Sequence, residues 1–235
     1  MFSNVLEWEK FTKKNFLTKF LHNNKYTVMF KILNNYKSNK IKILDLGCGF
    51  ADSFIFLNKN FNIDYLGIEE NIEVFKITED RYKNYNNFKI ENKDLTNIKN
   101  FDGIDFDIVI MFDVLEHIKL PNRLRLIEKI HELNFKKLLI NVPNEVGIAI
   151  FIKNIGSKLM RYKRDLEYSN YDTFNAVFRR IEKIPPHLDR HKGFDWYVLK
   201  YILHYYFEII EIHTLLNSML PKSISPSIFF ECHKR

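Results

Sequence analysis

The chain has 235 residues, 46% of them hydrophobic and 28% charged, a globular composition that excludes disordered and fibrous proteins and suffices for one α/β domain with a full core. Cys48 and Cys232 are the only cysteines, too few for a disulfide framework. The net charge of +7 is concentrated in two segments, with nine Lys against two Glu over 1–42 and ten Lys/Arg against five Asp/Glu over 151–192, which leaves the remainder net negative.

The opening residues Met1-Phe2-Ser3-Asn4-Val5-Leu6-Glu7-Trp8 lack the basic-then-apolar layout of a signal peptide, and no apolar run approaches the roughly 18–20 residues of a membrane span. A cytoplasmic protein is expected. Residues 8–20 and 26–36 read as two helices forming an N-terminal helical cap over 1–40. Five short apolar runs follow, at 41–46, 63–68, 88–91, 106–112 and 138–142. Several are apolar on both faces, as in parallel strands buried between helix layers. Helical patterns at 53–59, 71–82 and 121–133 separate them, the last opening on Pro121. The rhythm breaks over 144–193, which reads as a lid-like insertion. A helix at 194–205 and strands at 207–213 and 227–232 close the chain. The loop between them holds Pro221 and Pro226, so the last strand is expected to run antiparallel. The predicted architecture is a single α/β domain over 1–235, a doubly wound, Rossmann-like, seven-stranded sheet with helices on both faces.

The strongest local signal is Ile43-Leu44-Asp45-Leu46-Gly47-Cys48-Gly49-Phe50-Ala51-Asp52, a buried strand running into a glycine turn and then a helix. Gly47 permits the tight turn and Gly49 admits a ligand close to the backbone. The helix start offers free N–H groups at the carboxyl edge of the sheet, where open α/β folds bind ligands. Glu69 ends the second strand, twenty residues beyond Gly49, where a carboxylate can grip a ribose diol. Asp94 follows the third strand, placed to accept from an adenine amino group. A dinucleotide fold prefers a third glycine where the diphosphate meets the helix; here that position is Asp52. Asp45 suits a ligand carrying an ammonium group. Both favour S-adenosylmethionine over NAD.

These residues resemble the class I S-adenosylmethionine-dependent methyltransferases, through Asp45-Leu46-Gly47-Cys48-Gly49-Phe50-Ala51, Gly67-Ile68-Glu69, Lys93-Asp94, the run from Phe106 to Ile118 and Ile140-Asn141-Val142-Pro143-Asn144. The segment Val114-Leu115-Glu116-His117-Ile118 resembles the branch that holds ubiquinone-biosynthesis O-methyltransferases and many small-molecule enzymes. The resemblance implies that Asp45, Gly47, Cys48 and Gly49 hold the methionine part of the cofactor. By the same resemblance Glu69 binds the ribose hydroxyls, Asp94 and Leu95 the adenine, and Met111 lines the pocket. Ala51 stands where the family usually has a third glycine.

Methyl transfer from a sulfonium asks the protein to position the acceptor, take its proton and exclude water. Asp113, Glu116 and His117 lie at i, i+3 and i+4 after the fourth strand, on one face of a helical turn. Three readings stand: a capping box of Asp113 and Glu116; His117 as general base, with Glu116 beside it; or a divalent metal such as Mg held by Asp113, Glu116, His117 and His191, or less readily His187. The stretch Arg190-His191-Lys192-Gly193-Phe194-Asp195-Trp196 resembles the H-x-F-E-W stretch of small-RNA 3′-terminal 2′-O-methyltransferases, which hold magnesium with a Glu-x-x-Glu-His set plus a further His. Here Asp113 replaces the first Glu and Gly193 adds one residue.

In the insertion, an apolar run at 147–152 leads into a Lys/Arg-rich stretch. That is the layout of a lid packed on the core, or of an interfacial helix touching a membrane or a lipid-linked anionic substrate. Tyr162, Tyr168, Tyr171 and Phe174 could instead stack on bases or sugars. The expected function is methyl transfer from S-adenosylmethionine to a hydroxyl of a small or lipid/sugar-linked acceptor, with peripheral membrane contact through 147–164. An RNA ribose 2′-O-methyltransferase using a divalent metal is the alternative within the class. An NAD-type oxidoreductase and a non-catalytic nucleoside-binding module are the alternatives outside it.

Overall fold

The computed structural model describes residues 16–34, 36, 40–95, 101, 103–159, 168–185, 191–214 and 221–235, and the side chains of all of these but 16–24 and 157–159. The expectations for residues 8–15, the basic run 161–164, Tyr162 and His187 lie outside them.

Seven strands, β1 (Ile41–Leu46), β2 (Ile63–Glu69), β3 (Phe88–Asn92), β4 (Asp105–Phe112), β5 (Asn134–Pro143), β6 (Phe207–Thr214) and β7 (Ser227–Lys234), form one sheet in the order β3-β2-β1-β4-β5-β7-β6. The pairs β1–β2, β1–β4 and β2–β3 are parallel, and the last strands are antiparallel. A doubly wound dinucleotide fold has the order 3-2-1-4-5-6; here β7 is inserted beside β5. The seven-stranded, mostly parallel, Rossmann-like sheet is as the sequence predicts.

The helices are α1 (Phe16–Asn34), α2 (Asp52–Asn60), α3 (Ile72–Tyr82), α4 (Leu120–Glu132), α5 (Ile148–Leu159), α6 (Asn170–Val177) and α7 (Trp196–Tyr206). Two expectations change. The break expected between two N-terminal helices is absent, because α1 runs unbroken through Asn23 and Asn24. Asparagine costs a helix interior only a few tenths of a kcal/mol, and no Gly or Pro is there to stop it. Strand β5 begins at Asn134, four residues before the expected start, with Phe135 buried between exposed Asn134 and Lys136. The lysines of this half-exposed end conceal it from an apolar-run reading.

The chain falls into two compact units, one of residues 1–112, 129–139 and 234, the other of 113–128, 140–233 and 235. In the first, Phe54 of α2 meets Tyr65, Tyr82, Tyr85 and Phe88 at ring-centroid distances of 4.7–5.3 Å. Pairs of this kind add about 0.5–1.5 kcal/mol beyond area burial, and here they fix α2 and α3 against β2 and β3. In the second, Ile150, Tyr168, Ala176 and Ile184 form a core joining α5 and α6.

Candidate active site

In the first unit the turn after β1 is built from left-handed residues: Gly47 at φ +74°, Gly49 at φ +55° and Ala51 at φ +53°. The two glycines adopt this without strain, whereas Ala51 carries a Cβ into it. Gly67 of β2 lies beneath the turn, and a Cβ there would stand 2.7 Å from Cys48 Sγ. The role of Gly67 is therefore to seat Cys48, whose thiol burial pushes well above its ordinary range.

Two carboxylates flank this turn. Glu69 Oε2 accepts from the Gly49 N–H at 3.0 Å, and Oε1 from the Asn71 N–H at 2.8 Å. Asn71 in turn caps α3, accepting from Glu73 and Val74 N–H. One carboxylate thus ties the β1–α2 turn to the β2–α3 turn. Burial raises the Glu69 pKa against the pull of these hydrogen bonds. Asp45 is 2% exposed; its Oδ2 accepts from Tyr65 O–H at 2.6 Å, and Ser53 also hydrogen-bonds to it. Burial lifts its pKa to about 6, opposed by those hydrogen bonds and by the Lys25 ammonium. Lys25 is itself buried, with Nζ 5.5 Å from the Phe112 ring centre. Thr78 Oγ1 donates to the Gly49 carbonyl at 3.1 Å.

Met111 is fully buried on β4 and Leu95 is buried after β3, while Asp94 is exposed beside it. Tyr65, Thr78, Asn71 and Lys25 escaped the sequence reading. Tyr65 was within its reach, because the parallel register sets Asp45 opposite Gly67 and a tyrosine two residues earlier on β2 shares that face.

In the second unit the segment after β4 is a short 3-10 turn, Leu115–His117, preceded by Val114 and carrying no side-chain cap. The capping box expected of Asp113 and Glu116 does not form. Asp113 has φ +58° and is held by Asn141: its N–H donates to the Asn141 carbonyl at 2.9 Å, and Asn141 Nδ2 donates to its Oδ1 at 2.8 Å. Glu116, His117 and His191 come together instead, with ligand atoms all within 4.8 Å. His191 Nε2 is 3.2 Å from His117 Nε2 and 3.7 Å from Glu116 Oε1. Of the four residues expected to hold a metal, the structure gathers these three, and Asp113 sits on Asn141.

Arg123 of α4 shapes this cluster. Its Nε and one terminal nitrogen donate to the Leu115 and Ile118 carbonyls, both at 2.8 Å, and its guanidinium lies 4.9 Å from the Phe194 ring centre. Burial lowers its pKa to about 10, with the Glu116 carboxylate pulling the other way. Burial also depresses His191, to about 4, so its imidazole is neutral near pH 7 and offers a lone pair. The additional Gly193 occupies a left-handed turn at φ +82°. Asp195 caps α7 through the Tyr197 N–H at 2.8 Å and takes Arg179 at 2.9 Å. Its carboxylate is thereby structural. Nothing in the local sequence singles out Arg123 or Asn141, because their partners are set by tertiary packing.

The insertion carries an unusual helix. Ala149 and Ile150 of α5 are buried, whereas Ile148, Phe151, Ile152 and Ile155 are 44–52% exposed. Tyr171, Phe174 and Phe178 are likewise exposed, while Tyr168 is buried. No helix among the described residues is long and apolar enough to cross a membrane.

Residues 43–134 match the family described as a methyltransferase domain. Comparison with curated protein sequences gives no match. Among solved structures, the chain is similar to magnesium protoporphyrin IX methyltransferase from Synechocystis PCC 6803 with bound S-adenosylhomocysteine (SAH), at 15% identity and TM-score 0.65 over 99% of this chain and 96% of that one. It is also similar to the methyltransferase domain of a bacterial Hen1 protein, at 15% identity and TM-score 0.61 over 91% and 98%. A third likeness is to a putative S-adenosyl-L-methionine-dependent methyltransferase from Methanococcus maripaludis, at 14% identity and TM-score 0.57 over 97% and 90%. At these identities the likeness is one of fold. Residues 43–134 thus match a methyltransferase domain, and the fold is the one seen in the solved S-adenosylmethionine-dependent methyltransferases that the chain is similar to.

Proposed function

We propose that the protein transfers the methyl group of S-adenosylmethionine to a hydroxyl of a small or lipid/sugar-linked acceptor. The observation that carries this reading is the pair of carboxylates, Asp45 and Glu69, buried beside a left-handed glycine turn. A diphosphate would be repelled there, whereas a nucleoside with a ribose diol and an ammonium group finds an acceptor for each. Asp45 would take the ammonium, Glu69 the ribose hydroxyls, and Asp94 with Leu95 the adenine, while Gly47, Cys48, Gly49 and Met111 line the pocket. The bound sulfonium supplies an activated methyl group; the chain's own residues orient the acceptor and hold its proton. His117 is the candidate base, its Nε2 paired with neutral His191 and its turn held by Arg123.

The test is equilibrium binding of SAH. The full chain is expected to bind it and to show no thermal shift with NAD. Glu69→Ala should weaken binding by about 1–3 kcal/mol, the scale of lost charge-assisted hydrogen bonds. Stabilisation by NAD with no binding of SAH would overturn the reading.

A second reading is favoured by the gathering of Glu116, His117 and His191. A carboxylate and two imidazoles, one of them neutral, fit a divalent cation. These residues would hold the ion, which would lower the pKa of an acceptor hydroxyl. With the resemblance of 190–196 to the small-RNA enzymes, this makes a terminal RNA ribose a candidate acceptor. Turnover unchanged by EDTA assigns the cluster to base chemistry; turnover lost to EDTA and restored by Mg²⁺ supports the metal. The exposed apolar side of α5 supports a lipid-linked acceptor or contact with an anionic membrane. Failure to float with anionic liposomes would retire that part.

A further inference from the structure

The apolar stripe of α1 carries a lysine. Lys25, Met29, Ile32 and Leu33 follow one another at i, i+4, i+7 and i+8, the spacing of one buried helix face, and all four are at most 6% exposed. Tyr26 stacks on Phe56 of α2 at 5.3 Å between ring centres, and Phe30, one turn on, meets Phe56 and Phe61 at 6.4 and 5.5 Å. These contacts seat α1 on α2 and deliver Lys25 to the end of β4, where its Nζ lies 5.5 Å from the ring centres of both Tyr26 and Phe112. Phe112 stands two residues beyond Ile110, the β4 partner of Asp45. Lys25 is thus at the carboxyl edge between β1 and β4, where the strand order reverses and open α/β sheets bind ligands.

In the chain alone the charge of Lys25 is answered. The two ring faces attract it, and it is one of the charges acting on Asp45. An α-amino acid bears its ammonium and its carboxylate on one carbon, so an acceptor that takes the ammonium leaves the carboxylate close by. Asp45 alone, with Asp52 opening α2, would repel that carboxylate. With Lys25 at the same edge, one pair of opposite charges exchanges for two, Asp45 with the ligand's ammonium and Lys25 with its carboxylate. The charge of the cleft stays balanced, and a zwitterion meets a complementary pair.

Resting on the reading that this pocket takes S-adenosylmethionine, we propose that Lys25 binds the carboxylate of its methionyl group. Helix α1 then completes the cofactor pocket and makes it select the intact amino-acid nucleoside over nucleosides that lack the carboxylate.

The test is calorimetric titration of the full chain and of Lys25→Met, which keeps the length and apolar stem of the side chain, with three nucleosides. SAH carries both charged groups, decarboxylated S-adenosylmethionine keeps the ammonium without the carboxylate, and 5′-methylthioadenosine lacks both. The wild-type chain is expected to bind SAH more tightly than 5′-methylthioadenosine. Lys25→Met should weaken SAH binding about 10–100-fold, the scale of a lost charge-assisted hydrogen bond. It should leave 5′-methylthioadenosine unchanged, which also shows the variant's pocket to be folded, and should bind decarboxylated S-adenosylmethionine at least as tightly as wild type does. Equal SAH affinity in the two chains would overturn the proposal while leaving the cofactor reading intact. So would a matching loss for all three nucleosides, since Lys25 would then only support the pocket. A wild-type chain that binds none of the three overturns the cofactor reading itself, and this proposal with it.

Discussion

The two candidate sites are assembled in opposite ways. Around the glycine turn, Gly49 meets Glu69 and Asp45 meets Tyr65 across only twenty residues of chain, within one strand–helix–strand unit. In the second unit, His117 meets His191 across 74 residues, and Asn144 meets Lys222 and Ser225 across 78 and 81. A site wired locally carries its geometry in a short motif. A site wired over long range depends on every loop between its parts, and those loops can change the acceptor without touching the cofactor turn.

Breaking the local site should have the largest effect. Gly67→Ala drives a Cβ to 2.7 Å from Cys48 Sγ, so the thiol must turn away, while Cys48 Cβ and the Tyr65 ring, each 3.3 Å from it, leave little room. We expect a loss of about 1–3 kcal/mol in chemical denaturation, as for other overpacked cores, together with loss of SAH binding. Adding Cys48→Ala should recover part of the stability; no recovery would refute the packing account.

Asp45→Asn sharpens the comparison with opposite signs for stability and binding. Burial raises the folded-state pKa of Asp45 to about 6, so the folded chain holds this proton more tightly than the unfolded one. Its contribution is full below the ordinary carboxylate pKa and is lost as pH rises through about 6. Asparagine removes that loss. The apo variant should gain about 1–3 kcal/mol at pH 7–8, with the gain vanishing near pH 4, while its affinity for SAH falls. A variant less stable than wild type at pH 8 would contradict this.

The smallest effect is expected in the long-range site. His191 is depressed to about 4 by burial, so the unfolded chain binds its proton more readily and stability falls as pH drops from about 6.5 towards 4. In the metal-free protein His191→Gln should flatten that slope in thermal denaturation. It should lower turnover while leaving SAH affinity unchanged; a matching loss of affinity would show that the two sites are not separately wired.

The legibility of the chain follows the same division. Strands β1 to β4 and the turn after β1 were readable because buried parallel strands are continuous apolar runs and a left-handed turn selects glycine. The start of β5 was not, because its exposed lysines mask the pattern. The two-helix expectation fails at α1 because Asn23 and Asn24 barely disfavour a helix interior. Glu116 and His117 are legible from type and spacing, and His191 only through the resemblance of 190–196 to the small-RNA enzymes. Asp113 was grouped with them because helical spacing was assumed, whereas the chain turns there with φ +58° and gives that carboxylate to Asn141.

By itself the sequence determined the sheet, the glycine turn and the identities of the carboxylates around it, since backbone conformation and burial act on residues close in the chain. The tertiary structure decided that Tyr65 and Lys25 attend Asp45 and that Arg123 braces the histidine turn. Such pairings depend on which distant segments pack together, which local propensity does not encode.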